Sequence, residues 1–155
     1  MTQHIRTAPV RKTMTVAASP ERAFAVFTAG MGGWWLKGHT VTRSGRQAGV
    51  VIEPRAGGRW YETAEDGEQC DWGRVLVWEP PARLVLVWSL SAEWKYDPAL
   101  HSEVEVRFTA EAGGTRVDLE HRALDAFGPQ AEAMRTTFEG PSGWTGLLAA
   151  YAATF

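Results

Sequence analysis

The last fourteen residues, SGWTGLLAAYAATF (142–155), carry no charge, and their large side chains fall at helical spacing. Trp144, Leu147, Leu148, Tyr151 and Phe155 occupy i, i+3, i+4, i+7 and i+11, one continuous stripe on a 3.6-residue period. The positions between them hold only alanine, glycine and threonine. Such a helix does not rest on a surface facing water; something grips it. The rest of the chain must therefore build a concave apolar partner.

The segment from 48 to 124 supplies strands for that partner. GVVIEP, GGRWYETA, CDWGRVLVWE, RLVLVWSL, SEVEVRFTAE and TRVDLEHRAL read as six strands. Turn signals separate them: Pro54 to Gly58, Glu65-Asp66-Gly67, Glu79-Pro80-Pro81 and Gly113-Gly114. Short links between neighbours predict antiparallel pairing as a meander. The longest link, AEWKYDPALH (92–101), has the length of a flap.

Ahead of these strands, VRKTMTV (10–16) alternates as an edge strand, with Lys12 interrupting its apolar face. In SPERAFAVF, Ser19 can cap a helix, Pro20 suits its first turn, and Glu21 sits where the helix dipole favours a carboxylate. Gly30, Gly32 and Gly33 interrupt that helix, and Met31 to Leu36 form a second short helical piece. Pro129 opens another short helix through about Phe138, which Gly140-Pro141 breaks. Residues 1–9 are expected to be a disordered tail. The whole reads as one α+β domain of 155 residues, a curved antiparallel sheet with a helix packed on it. Curvature keeps such a sheet from pressing flat on one helix, and the remaining space is a cavity.

Composition narrows the function classes. Net charge is −2 and no basic run exceeds Arg11-Lys12, so nucleic acid is a poor partner. A lone Cys70 excludes an internal disulfide framework and a cysteine-based zinc site. No run approaches a membrane span and no secretory leader is evident, so the expected setting is cytoplasmic. His4, His39, His101 and His121 lack metal-ligand spacing, and no cofactor is implied. Eight tryptophans, in contrast, exceed what an ordinary core needs and suggest a bulky interior or an aromatic-walled cavity.

GGRWYE (57–62), WGRVLVWEPPARLVLVW (72–88), EVEVRFTAEAGGTRVDLEHRAL (103–124) and GWTGLLAAYA (143–152) resemble, in order and spacing, one family. It is the Hsp90-ATPase-activator-homologue-1-like (AHSA1-like) branch of the START/Bet v 1-like, or SRPBCC, superfamily. The resemblance implies a helix-grip fold: a curved seven-strand antiparallel sheet around a long C-terminal helix, two short helices after the first strand, and a hydrophobic cavity between sheet and helix. It does not carry the co-chaperone function of the family's name, because fold does not fix function.

Strand parity selects candidate cavity residues. Thr115, Val117, Leu119 and His121 share the face opposite Arg116, Asp118, Glu120 and Arg122, so His121 points inward, as a core histidine or a ligand anchor. Val104, Val106 and Phe108 face inward, with Ser102 at the strand's start. In GRWYET, Trp60 and Glu62 are assigned inward, because an outward Arg59 is cheap and an inward one is not. In DWGRVLVWE, Arg74 marks Trp72, Arg74, Leu76 and Trp78 as the wetter face, leaving Gly73, Val75 and Val77 inside. Trp88 fits either face. His121 and Glu62 would serve acid–base chemistry if they meet across the cavity. Trp34 and Trp35, behind glycines, are either a movable aromatic lip at the cavity entrance or plugs in the core. The expected ligand site comprises Trp34, Trp35, Trp60, Glu62, Val75, Trp88, Val106, His121, Trp144 and Leu148, with no catalytic constellation. The expected function is binding of a hydrophobic or aromatic small molecule. The alternatives are a cyclase or hydrolase using the same cavity, and a chaperone-interaction module. The oligomeric state stays open, a homodimer included.

Overall fold

The computed structural model describes residues 7–36 and 38–155. Seven strands form one antiparallel sheet: β1 (Val10–Val16), β2 (Gln47–Ile52), β3 (Arg59–Ala64), β4 (Gln69–Glu79), β5 (Arg83–Trp88), β6 (Ser102–Glu111) and β7 (Gly114–Arg122). Their spatial order is β1-β7-β6-β5-β4-β3-β2, the meander that the short links predict, with β1 closing on β7. Helices α1 (Pro20–Thr28) and α2 (Met31–Trp34) follow β1; α3 (Ala131–Glu139) and α4 (Trp144–Ala152) follow a 3-10 segment, Leu124–Gln130. The sheet curls around the terminal helices, giving the helix-grip, START/Bet v 1-like fold.

Local chemistry explains the elements. Ser19 Oγ accepts the Arg22 amide at 3.2 Å and Pro20 opens α1, so this helix starts where its cap stands. Phe24 and Phe27 then face the sheet, edge-on to Phe108 at 5.2 and 5.9 Å. Lys12, the interruption in β1, reaches Glu139 of α3 at 3.7 Å. Of the expected N-terminal tail, residues 1–6 lie outside the described residues. Thr7 donates its amide to Asp125, and Arg135 donates to the Ala8 and Pro9 carbonyls.

The long C-terminal helix is two nine-residue helices, α3 and α4. Pro141 removes a donor at the break, and the chain folds back so tightly that only glycine fits at two points. A Cβ on Gly143 would stand 2.3 Å from the Phe138 carbonyl oxygen, and one on Gly146 2.0 Å from that of Pro141. In α4, Trp144, Leu147, Leu148 and Tyr151 are buried, while Phe155 packs edge-on to Tyr151 at 5.1 Å. The grip is one-sided: Thr145, Ala149 and Ala153 are exposed.

Alternation assigns β3, β6 and β7 correctly. Trp60, Glu62, Ser102, Val104, Val106, Phe108, Thr115, Val117, Leu119 and His121 are all buried. In β4 it fails. The pairing of β4 with β3 skips Trp72, and its pairing with β5 skips Leu76. Each bulge inverts the inside–outside alternation. Trp72 therefore turns into the core instead of lying on the wetter face. Trp78 also turns inward, half-buried and edge-on to Phe24 at 5.1 Å. Val77 leaves the inner face, while Val75 keeps it and is buried with Leu86 and Leu84. Between the bulges, Gly73 pairs with Trp60 on one side and Trp88 on the other. A Cβ there would stand 1.7 Å from the Val87 carbonyl oxygen, so glycine lets the strands close and the two indoles meet at 5.7 Å.

Candidate functional site: a tryptophan-walled pocket

Indoles fill most of the interior between sheet and α4. Trp34 lies between Phe27 and Tyr151, at 5.2 and 5.3 Å, and its N–H donates to the Val26 carbonyl. Trp35 packs on Trp72 at 4.8 Å and on Trp144 at 6.1 Å. Both residues are buried, so they are plugs and not a lip. Gly32 ahead of them serves packing: a Cβ there would stand 3.0 Å from the Val50 amide nitrogen, where α2 touches β2.

The open space lies instead at one end of this aromatic core. A pocket of about 240 Å³ is lined by Gly38, His39, Thr40, Val41, Trp72, Leu90, Trp94, Thr137 and Ser142. Behind it, a recess of about 20 Å³ continues to Trp88, Phe138, Trp144 and Leu147. Three separate segments meet here: the loop after α2, the flap after β5, and the α3–α4 turn. A wider groove of about 610 Å³ runs outside, between α1, β2 and the Pro80-Pro81 turn, but among the described residues Glu21 is its only titratable lining group.

Glu62 holds the first segment in place. Fully buried, its carboxylate accepts four hydrogen bonds. Oε1 takes the Val41 amide at 2.6 Å and the Trp72 N–H at 3.1 Å. Oε2 takes the Thr40 hydroxyl at 2.7 Å and the Gln47 amide at 3.1 Å. One carboxylate thus fixes both the loop and the indole that form two sides of the pocket. The His39 carbonyl adds to this by accepting from Trp35 Nε1 and Gln47 Nε2. Gln47 Oε1 and Trp60 Nε1 are buried with no partner among the described residues.

The flap supplies the second side. Its backbone turns through Trp94 N–H to the Ser91 carbonyl and Ser91 N–H to the Lys95 carbonyl. Trp94 has a left-handed φ of 61°, uncommon for a bulky residue, and the residue is 43% exposed. It meets Trp88 edge-on at 6.4 Å. On the third side, His39 Nε2 donates to the Ser142 carbonyl at 2.6 Å and ties loop to turn.

His121 lies one layer below, stacked on Phe138 at 4.3 Å between ring centroids. Its Nδ1 accepts the Trp144 N–H at 3.1 Å, so the ring proton is on Nε2 and goes to Ser102 Oγ at 3.0 Å. Ser102 in turn donates to the Trp88 carbonyl. The network is closed within the protein, and His121 and Glu62 bond to separate sets of groups instead of to each other. Burial pushes the His121 pKa down to about 3. Between pH 6.5 and 3 the unfolded chain therefore binds a proton there that the folded chain does not. Stability falls as pH is lowered through that window, by up to about 1.4 kcal/mol per pH unit from this group. The His121 ring resonances should stay constant in an NMR titration from pH 7 to 4.5; an inflection near pH 6 would show that the ring is not sealed.

Of the ten sequence-derived site residues, Trp88 and Trp144 line the recess. Trp35, Trp60, Glu62 and His121 support it from behind, while Trp34, Val75, Val106 and Leu148 are core. Sequence reading missed His39, Trp94, Thr137 and Ser142, all on loops or a helix end; Trp94 in the long flap was the one visible signal. Among the described residues, no three His, Cys, Asp or Glu side chains converge as metal ligands would, and no helix is long and apolar enough to cross a membrane.

Residues 17–153 match the family profile described as Activator of Hsp90 ATPase homolog 1-like protein. Among solved structures, an anthrahydroquino-gamma-pyrone synthase, Txn09, is 38% identical, covering 97% of this chain and 98% of its own, with a TM-score of 0.67. CalC of Micromonospora echinospora, a self-sacrificing resistance protein, is 34% identical over 94% of this chain and 92% of its own, with a TM-score of 0.69. MLL2253 of Mesorhizobium loti, at 22% identity over 94% of this chain and 95% of its own and a TM-score of 0.67, shares the fold. No curated protein matches the chain.

Proposed function

This chain belongs to the Activator of Hsp90 ATPase homolog 1-like family, and from that premise we propose that it is a cytoplasmic protein that binds a flat aromatic small molecule in the pocket between Trp72 and Trp94. The carrying observation is the pocket itself, with indoles on two sides and more indole at the floor. A half-exposed Trp94 on an irregular flap costs the apo protein apolar exposure that a ligand would remove. The volume is below the usual range for drug-sized ligands, about 300–1,000 Å³, which suits a small fused-ring system better than an acyl chain. The 38% identical relative, named for synthesis of an anthrahydroquino-gamma-pyrone, supports a fused-ring ligand.

That relative is an enzyme, which supports a second reading as a cyclase. Acid–base chemistry needs two convergent titratable groups. Among the described residues, His39 is the one ionisable side chain that lines the pocket. Binding is therefore the reading the geometry supports best. A chaperone-interaction surface needs a contiguous apolar patch, and the exposed large apolar side chains, Leu76, Trp94 and Tyr96, divide between β4 and the flap.

Titration with an uncharged naphthalene-sized ligand should quench tryptophan emission saturably, at one ligand per chain. Trp94→Ala should weaken that binding about tenfold, as expected for loss of an aromatic wall, with an unchanged melting temperature. An absence of saturable binding, or a Trp94→Ala variant that binds as well as the parent, would overturn the reading.

A further inference from the structure

The polar groups around the pocket are mostly committed to the protein. The Thr40 hydroxyl donates to Glu62, that of Thr137 to the Ala133 carbonyl, and the Trp72 N–H to Glu62. Trp94 Nε1 and the Ser142 hydroxyl sit on the exposed rim, where water competes for them. His39 is half-buried and keeps one ring nitrogen uncommitted. A carbonyl oxygen only accepts, so the short contact to Ser142 places the ring proton on Nε2. In the neutral ring Nδ1 then carries a lone pair, and no donor among the described residues reaches it. This imidazole lines both the pocket and the recess behind it.

Resting on the binding reading above, we infer that His39 Nδ1 is the acceptor for a hydroxyl on the ligand, so that the pocket selects phenols over their ethers. The Ser142 carbonyl acts as the orienter, holding the ring in the tautomer that can accept. Trp72 and Trp94 bind the ring system without regard to its substituents, and the histidine reads the hydroxyl. The ligand class is a hydroxylated fused-ring aromatic.

The test compares 2-naphthol with 2-methoxynaphthalene, which share the ring system and differ in the donor. Calorimetric titration of the full chain should show naphthol binding about five- to tenfold more tightly, the ratio that one net hydrogen bond gives. In His39→Phe, folded by circular dichroism, the two should bind within about twofold of each other. In the parent protein, the His39 Nδ1 nitrogen resonance should move upfield on adding naphthol and stay in place with the ether, a readout that needs no variant. Equal binding of both by the parent, a preference that survives in His39→Phe, or an unmoved Nδ1 resonance would each overturn the assignment while leaving the pocket intact. Failure of both compounds to bind saturably would instead remove the binding reading on which the assignment rests.

Discussion

Replacing Trp35 with alanine should cost about 3–5 kcal/mol of folding stability, the range for truncating a buried indole. The side chain packs against Trp72, Trp144 and Trp34, and its N–H donates to the His39 carbonyl at 3.2 Å. Alanine would leave a void that three neighbouring rings cannot close, and would release one of the two donors on that carbonyl. For a domain of this size such a loss lowers the melting temperature by roughly 10 °C. Thermal melts of parent and variant decide the matter. A variant that melts with the parent and only loses ligand affinity would restore the movable lip and contradict the packing seen here.

Glu62→Gln should destabilise by about 2–3 kcal/mol although it changes almost no volume. Each carboxylate oxygen faces two donors: Val41 N and Trp72 Nε1 on one side, Thr40 Oγ1 and Gln47 Nε2 on the other. An amide nitrogen in either place confronts two donors with a third. The Oε2 side yields more easily, because the Thr40 hydroxyl can turn to Thr42 Oγ1, 2.8 Å away. That leaves the Gln47 amide without its second acceptor, in a buried site where an unmet donor costs about 1–3 kcal/mol. Denaturant unfolding reads the loss. Because the same bonds hold the loop against Trp72, ligand affinity should fall with stability. A change below about 0.5 kcal/mol would mean that the four-bond cradle is not what fixes the loop.

Much of the fold was legible in the sequence because it rests on short-range chemistry. The α1 start follows from Ser19 and Pro20, neighbours of the helix they open. The inward faces of β3, β6 and β7 follow from alternation, which any four consecutive residues display. The gripped face of α4 follows from Trp144, Leu147, Leu148 and Tyr151 at helical spacing. Glu62 and His121 were found for the same reason, as polar groups forced inward by the charges beside them.

What these residues touch was a different matter. His121 is a sealed structural histidine because Trp144, 23 residues on, and Ser102, 19 residues back, meet it from other elements. Trp72 faces inward because β4 bulges against its partners, and a bulge belongs to a pair of strands, so one strand's pattern does not carry it. Gly32 looked like looseness and is close packing, since the Val50 backbone it admits is distant in sequence. The pocket is assembled from the 38–41 loop, Trp72, the flap and the α3–α4 turn, and none of these has a periodic signature. Local periodicity therefore determined the elements and their buried faces, whereas the contacts between distant segments, which only the closed fold brings within hydrogen-bonding range, decided where the pocket lies and that His39 and Trp94 stand at it.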